Sequence, residues 1–296
     1  MKSPISLESN PKKLAFFLIL PTLIAVFAIL IYPILYSLTI SFTSATLRDM
    51  SFNFIGLQNY FSALRDQKLG NAFILTIEYS AVTVFFKLLL GMSLALILNE
   101  KFIGRGLTRS LIIIPWAVPY IVTGIMWRWI FDSNIGIFNF ILNKIGIINE
   151  YIAWLASRSF ALSTIIIADV WQGTPFFIII LLAGLQTIPE DLYEAALVDG
   201  AGSFRKFVHI TLPMIKFQIF IVIILGAIFA INQFDLFYIM TKGGPADSTS
   251  VATYYDYKIA FRYYKISYAS AVSYLILLLT AIITIVYSRI LQRSEK

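Results

Sequence analysis

No charged residue interrupts the chain between Lys13 and Arg48, and a run of that length excludes most soluble folds. A helix crossing a hydrocarbon core about 30 Å thick needs roughly 20 apolar residues at about 1.5 Å each. The first run, about 14–42, is long enough, and five others follow at about 72–98, 107–130, 160–185, 214–240 and 269–288. The composition agrees: 59% of residues are hydrophobic and 13% charged, with a mean hydropathy of +0.82. The expected fold is an all-α membrane protein with six transmembrane helices over residues 14–288 and short tails at 1–13 and 289–296. The first run exceeds a signal-peptide core, although Pro21 and Pro33 should kink it or end it early.

Six crossings place both termini on one side. With the termini inside, 12 Lys and Arg residues lie on their side and 10 on the other; the inside set occupies shorter segments and abuts the spans, as at Lys12, Lys13 and Arg289, and this favours cytoplasmic termini. The net charge of +7 is then mostly topology. Nucleic-acid binding would need a clustered, water-accessible basic face, which charges scattered on both sides of a bilayer do not make. The chain has no cysteine and a single histidine, His209, so disulfides and thiolate metal sites have no residues to draw on, and hydrolytic triads and His-based metal sites are nearly excluded. No Gly-Lys pair occurs, hence no Walker-type phosphate loop. No catalytic or metal-binding residue is expected, and no cofactor; if ATP drives this protein, a separate subunit holds it.

A polar interval, 186–213, separates the fourth and fifth apolar runs. Pro189 suits a helix N-terminus, and Glu190 and Asp191 fall in the first turn, where the helix dipole favours acids. Leu192, Ala195 and Ala196 share a face. Gly200 is a natural stop, Ser203 an expected N-cap, and Phe204 to Ile210 a second short helix before Pro213. The small residues Ala195, Ala196, Gly200 and Ala201 would let another protein approach closely.

The spacing within this interval is specific. Glu194-Ala195-Ala196, three residues, Gly200, nine residues, Ile210, one residue, Leu212-Pro213 resembles the EAA loop of permease subunits of binding-protein-dependent ABC importers. The flanking segments LQTIPEDLYEAALVDGAG and FDLFYIMTKGGP (Phe234 to Pro245) resemble the maltose-type sugar permease family. The resemblance implies an inner-membrane subunit of a prokaryotic importer without its own ATPase. In that family the segment between spans four and five is a cytoplasmic coupling helix that docks on the ATPase, here Glu194, Ala195, Ala196, Asp199, Gly200, Ile210, Leu212 and Pro213. The implied partners are a second permease subunit forming a heterodimer, two ATP-binding-cassette subunits carrying ATP and Mg, an extracytoplasmic solute-binding protein, and a sugar. Compared with the longest members, a six-span core is expected without extra N-terminal spans, and Thr43 to Asn71 leaves room only for a short loop.

Polar residues inside spans are costly and should face a bundle interior or a water-filled path. Asp169, Gln172, Gly173 and Phe176 form one stripe on span four, and Gly226, Ala230 and Gln233 a second on span five. A carboxylate, amides, small residues and an aromatic ring suit a hydroxyl-rich sugar, and the family resemblance implies that these stripes line its path. Helix packing through Gly226 and Ala230, with Asp169 hydrogen-bonded between helices, is the alternative. Glu78 and Lys87 on span two lie about half a turn out of phase, so each is expected to find a separate partner, or Lys87 to snorkel. Asp235 is expected to cap or position the TKGGP loop. Trp116, Tyr120, Trp127 and Trp129 are expected in the interfacial belt rather than on a sugar platform. Two other functional readings remain: the same kind of permease carrying a phosphorylated or other anionic solute, with Lys87 in its path, and an ion-coupled carrier using Glu78, Asp169 and Asp235.

Overall fold

The computed structural model describes the backbone of residues 11–294, so the expected terminal tails fall partly outside the described residues. Within that range the chain is helical almost throughout, and its one extended pairing is an isolated antiparallel bridge between Thr43 and Phe54. In chain order the helices are α1 (Pro11–Val26), α2 (Tyr32–Ser41), α3 (Gln58–Arg65), α4 (Gln67–Asn99), α5 (Arg105–Ala117), α6 (Tyr120–Ile130), α7 (Ile137–Lys144), α8 (Ala161–Leu185), α9 (Glu190–Val198), α10 (Ser203–Lys206), α11 (Leu212–Met214), α12 (Lys216–Ile231), α13 (Asp235–Met240), α14 (Ala252–Tyr257) and α15 (Ile266–Ser294). Four helical stretches are long and apolar enough to cross a membrane: Ala15–Ser41, Gln67–Asn99, Ala161–Leu185 and Ile266–Arg289. Two bent pairs qualify if each is one span: Arg105–Ala117 with Tyr120–Ile130, bent by 94°, and Ser203–Met214 with Lys216–Ile231, bent by 69°.

Each departure from a straight span has a local cause. Pro21 sits inside α1 without ending it. Before Pro33 a π-helical turn, Phe27–Ile31, joins α1 to α2, and the N–H of Tyr32 bonds Phe27 O. A proline cannot donate to the carbonyl four residues back and its ring displaces it; the wider turn absorbs that displacement. The same device recurs before Pro213, where the π turn Phe207–Thr211 ends with the Leu212 N–H on Phe207 O. The bend between α5 and α6 falls at Val118, whose extended backbone (φ −78°, ψ 124°) is what a residue preceding proline adopts. In the fifth apolar run, the helix expected over 214–240 stops at Ile231. Asn232 Nδ2 donates to Ile228 O at 2.8 Å, so the side chain takes a carbonyl of the last turn, and α13 begins afresh at Asp235.

The chain divides into two compact units. The first, residues 1–65 and 257–275, is held by side chains that bond backbone. Asn59 Nδ2 donates to Ser41 O and Thr43 O, both at 2.8 Å. Thr43 Oγ1 meets Ser267 Oγ at 2.9 Å, the Leu47 N–H reaches Tyr264 O at 2.8 Å, and the Arg48 guanidinium stacks 4.6 Å over the Tyr264 ring. The interval 43–71 is therefore short but ordered, with α3 inside it.

The second unit, residues 66–256 and 276–296, is built around α8, two-thirds of whose most apolar window is buried. α8 packs along α4 and against α5, α12, α6 and α13. Asp66 caps α4, accepting from the N–H groups of Lys68 (2.9 Å) and Leu69 (3.3 Å), so this helix starts earlier than its apolar run. Between α6 and α8, the fully buried Asn139 closes a small folded segment. It donates to Asp132 O (3.3 Å) and Ile152 O (3.0 Å) and accepts from the Ile152 N–H (3.1 Å) and Trp154 Nε1 (2.8 Å). The rings of Phe131, Phe138, Trp154 and Phe160 pack in series on one another in the same segment.

Candidate functional site: the α8–α12 segment and the polar stripes of α8

The segment that leaves α8 begins where the sequence places it. Pro189 is the N-cap of α9, with Glu190 and Asp191 in the first turn. The end of α9 is a Schellman arrangement: the Gly200 N–H bonds Leu197 O at 3.0 Å, and the Ala201 N–H bonds Ala196 O at 2.8 Å. This closure requires a left-handed residue, and Gly200 supplies it at φ +74°. Ser203 is not the cap of the next helix. Gly202 occupies that position in extended conformation, and no side chain bonds the exposed N–H groups. A hydrogen bond between Tyr193 OH and Thr211 Oγ1, 2.9 Å, joins the two arms.

Glu194, Ala195, Asp199, Gly200 and Pro213 are exposed, while Ala196, Ile210 and Leu212 are half-buried. Nothing lies within 4 Å of a carbon placed on Gly200. Two apolar residues missed by the sequence reading stand out beside them: Val198 is 90% exposed and Phe204 80%. Helical spacing alone did not single them out, because Phe204 has Phe207 and Val208 at i+3 and i+4, and Val198 has Ala195 at i−3. The surface is thus small and apolar at its centre, with acids at its rim.

The stripe on α8 divides between two neighbours. At about 100° per residue, Gly173 and Gln172 fall on opposite edges of it. Asp169 and Gly173 turn toward α4. Asp169 Oδ2 accepts Tyr79 OH at 2.6 Å and pairs with Lys87 Nζ at 2.9 Å, with the Lys87 and Asp169 side chains only 3% and 2% exposed. A carbon placed on Gly173 would lie 2.5 Å from Lys87 Cε, so the missing side chain is the space the lysine fills. Lys87 therefore neither snorkels nor stands in an open path; charge neutralisation by Asp169 is what lets it stay buried. Gly226 is likewise filled, since a carbon there would lie 2.6 Å from Phe177 Cζ, and Ala230 is buried. For Asp169, Gly173, Gly226 and Ala230, the packing alternative describes the contacts in this structure.

Gln172, Phe176 and Gln233 differ. Gln172 Nε2 reaches Val118 O at the α5–α6 bend, 3.4 Å away, while Gln172 Oε1 and Gln233 Nε2 are buried with no hydrogen-bond partner. Phe176 is half-buried between Trp116 (centroids 5.9 Å apart) and Phe229 (5.7 Å), so Trp116 belongs with the stripe as much as with an interfacial belt. Glu78 is exposed on α4. It lines a cavity of about 440 Å³ with Lys68, Asn71, Arg158 and Asp247, at the end of the helices away from α9. Asp235 opens α13.

The described residues thus form a helical membrane bundle with an exposed pair of short helices between two long apolar segments. The chain belongs to the family of binding-protein-dependent transport system inner membrane components, whose model matches residues 87–296. It is 39% identical over 291 residues to a trehalose/maltose transport system permease protein of Thermococcus litoralis, covering 96% of this chain and 95% of the relative. It is 34% identical to a sulfoquinovosyl glycerol transport system permease protein of Agrobacterium fabrum, covering 98% and 94%. A trehalose transport system permease protein of Mycobacterium tuberculosis matches at 33%, covering 94% and 89%. In fold it is similar to a chain of a bacterial ABC transporter involved in alginate import, with a TM-score of 0.84, 20% identity and 96% of each chain covered.

Proposed function

We propose that this chain is a translocation subunit of an ATP-driven importer that moves a sugar or short oligosaccharide across the cytoplasmic membrane by alternating access. The observation that carries the reading is the Schellman-closed α9 with exposed Glu194, Ala195, Val198 and Gly200, followed by exposed Phe204 on α10, on a chain whose relatives are named as sugar permeases. In this reading each bent pair is one span, making six. Both termini and α9 are cytoplasmic, and α9 docks on an ATP-binding-cassette subunit that supplies ATP and Mg. A second permease completes the path, and a solute-binding protein delivers the sugar from outside.

Gln172 and Gln233 offer the sugar one unpartnered acceptor and one unpartnered donor, and Phe176 with Trp116 an aromatic face. An anionic cargo would need a cation along the path, and the charge of Lys87 is already taken by Asp169. An ion-coupled carrier would leave the α9 surface without a role. The test is uptake by proteoliposomes holding both permeases and the ATPases, with ATP inside and sugar-loaded binding protein outside. Trehalose and maltose are the first cargoes to try. Accumulation that needs both ATP and binding protein supports the proposal. ATP-independent accumulation driven by a proton or sodium gradient would replace it with the ion-coupled reading.

A further inference from the structure

The turn between α4 and α5 is fastened to the end of α8, just where the chain turns into α9. Arg109 Nη2 donates to Leu98 O at 2.9 Å, one of the last carbonyls of α4, which have no partner within their own helix. Gln186, the C-cap of α8, has its amide oxygen facing the same arginines. With the amide turned so that its oxygen rather than its nitrogen meets the guanidinium donors, the orientation that satisfies both ends, it accepts from Arg109 Nη2 at 2.7 Å, Arg109 Nη1 at 3.2 Å and Arg105 Nη2 at 3.3 Å. The Nε atoms of both arginines are buried without another partner, so these two cationic heads lie against two helix C-termini, where the dipole favours them. Lys101 in the same turn meets Glu190 in the first turn of α9 at 3.1 Å.

The connector between Gln186 and Glu190 is stiff. Thr187 bonds Gly184 O through both its N–H (3.0 Å) and its Oγ1 (2.7 Å), the Ile188 N–H reaches Leu185 O at 3.3 Å, and Pro189 fixes its own φ. A loop attached only through its two chain ends can swivel about them; one fastened to a third element cannot. The far end of α5 is the bend at Val118, whose carbonyl receives Gln172 Nε2.

We infer that Gln186 is a positioning residue: with Arg105 and Arg109 it joins α9 and the α4–α5 turn into one lever, and the lever carries movement of α9 through α5 to the neighbourhood of Gln172. This rests on α9 being the ATPase-coupling element. The readout is sugar transported per ATP hydrolysed by the complete transporter in proteoliposomes, a ratio that loss of folded protein alone does not change. Gln186→Ala and Arg109→Gln lower it several-fold while ATP hydrolysis still responds to loaded binding protein. Gln186→Glu, which keeps an acceptor for both arginines, restores it. Because the chain has no cysteine, a Lys101→Cys/Glu190→Cys pair can be bridged with a short bismaleimide, and bridging maintains or raises the ratio of that double variant. Parental ratios in both Gln186→Ala and Arg109→Gln overturn the lever, as does loss of uptake on bridging. So does a defect of Arg109→Gln confined to anionic-lipid vesicles with Gln186→Ala normal, which would make the arginines a lipid-phosphate site. If Gly200→Asp transports at the parental rate, the coupling reading itself fails, which is a different outcome.

Discussion

Lys87 and Asp169 are 2.9 Å apart, Nζ to Oδ2, on two helices at the centre of the second unit, and both are almost fully buried. Together with Tyr79 they form a neutral knot that fixes the register of α4 on α8. A buried pair gives little net stability over apolar residues of similar size, but removing one partner strands a charge at a cost of roughly 3–5 kcal/mol. Lys87→Met and Asp169→Leu should therefore each lower the melting temperature of the detergent-solubilised protein sharply. The double variant should recover most of the loss. Additive losses in the double would mean that the two side chains act independently.

This pairing was not legible in the sequence, although both residues were singled out. Helical phase shows that Glu78 and Lys87 do not pair with each other, but not which face of α4 meets α8; that is set by packing at Gly173, where the lysine fills the space a side chain would take. For Gly226 and Ala230 the sequence left path and packing both open, since spacing alone does not show which neighbour fills the space beside them. Features with local causes were readable: the apolar runs, the start of α9 at Pro189 and its stop at Gly200. Proline positions marked where helices would be disturbed, yet the response differed. Pro33 and Pro213 are absorbed by π turns, whereas Pro119 accompanies a 94° bend, because Val118 leaves the helix and its carbonyl finds Gln172. Asn139 was invisible, since its partners lie in loops whose course no periodicity describes.

The α9 surface gives a second prediction. Gly200→Val forces a β-branched residue into left-handed backbone, costing about 1–2 kcal/mol locally, and opens the Schellman closure. Glu194→Lys reverses a charge on the exposed face. Gly200→Asp does both in part, since Asp tolerates the conformation better but adds a charge. All three should insert normally, as judged by membrane fractionation, and lose uptake. Parental transport with the ATPase still bound in all three variants would remove α9 as the coupling element.

A third prediction follows from the absence of a phosphate cradle in the sequence. The chain purified alone should neither bind a fluorescent ATP analogue nor hydrolyse ATP. Hydrolysis that survives removal of contaminating ATPases and scales with the amount of this chain would contradict the assignment of ATP to a partner.

The last prediction concerns the path, where Gln172 Oε1 and Gln233 Nε2 are buried with no partner in this structure. Leaving such groups unpaired is costly, and a cargo hydroxyl that accepts from one and donates to the other removes that cost only while sugar is present. Truncating either to Ala should lose about 0.5–1.5 kcal/mol of interaction with the cargo for each neutral hydrogen bond. Uptake at low sugar should weaken several-fold or more, with a shift in cargo preference. ATP hydrolysis stimulated by loaded binding protein should persist, because α9 and its fastening to α5 are untouched. Thr280→Ala is the control, since its hydroxyl only bonds Ile276 O at 3.0 Å within α15, and it should transport like the parent. Phe176→Leu should add a loss of its own by removing the ring between Trp116 and Phe229. Parental uptake and unchanged preference in Gln172→Ala, Gln233→Ala and Phe176→Leu together would show that these residues are packing surfaces like Gly226, and the sugar would have to pass along other helices.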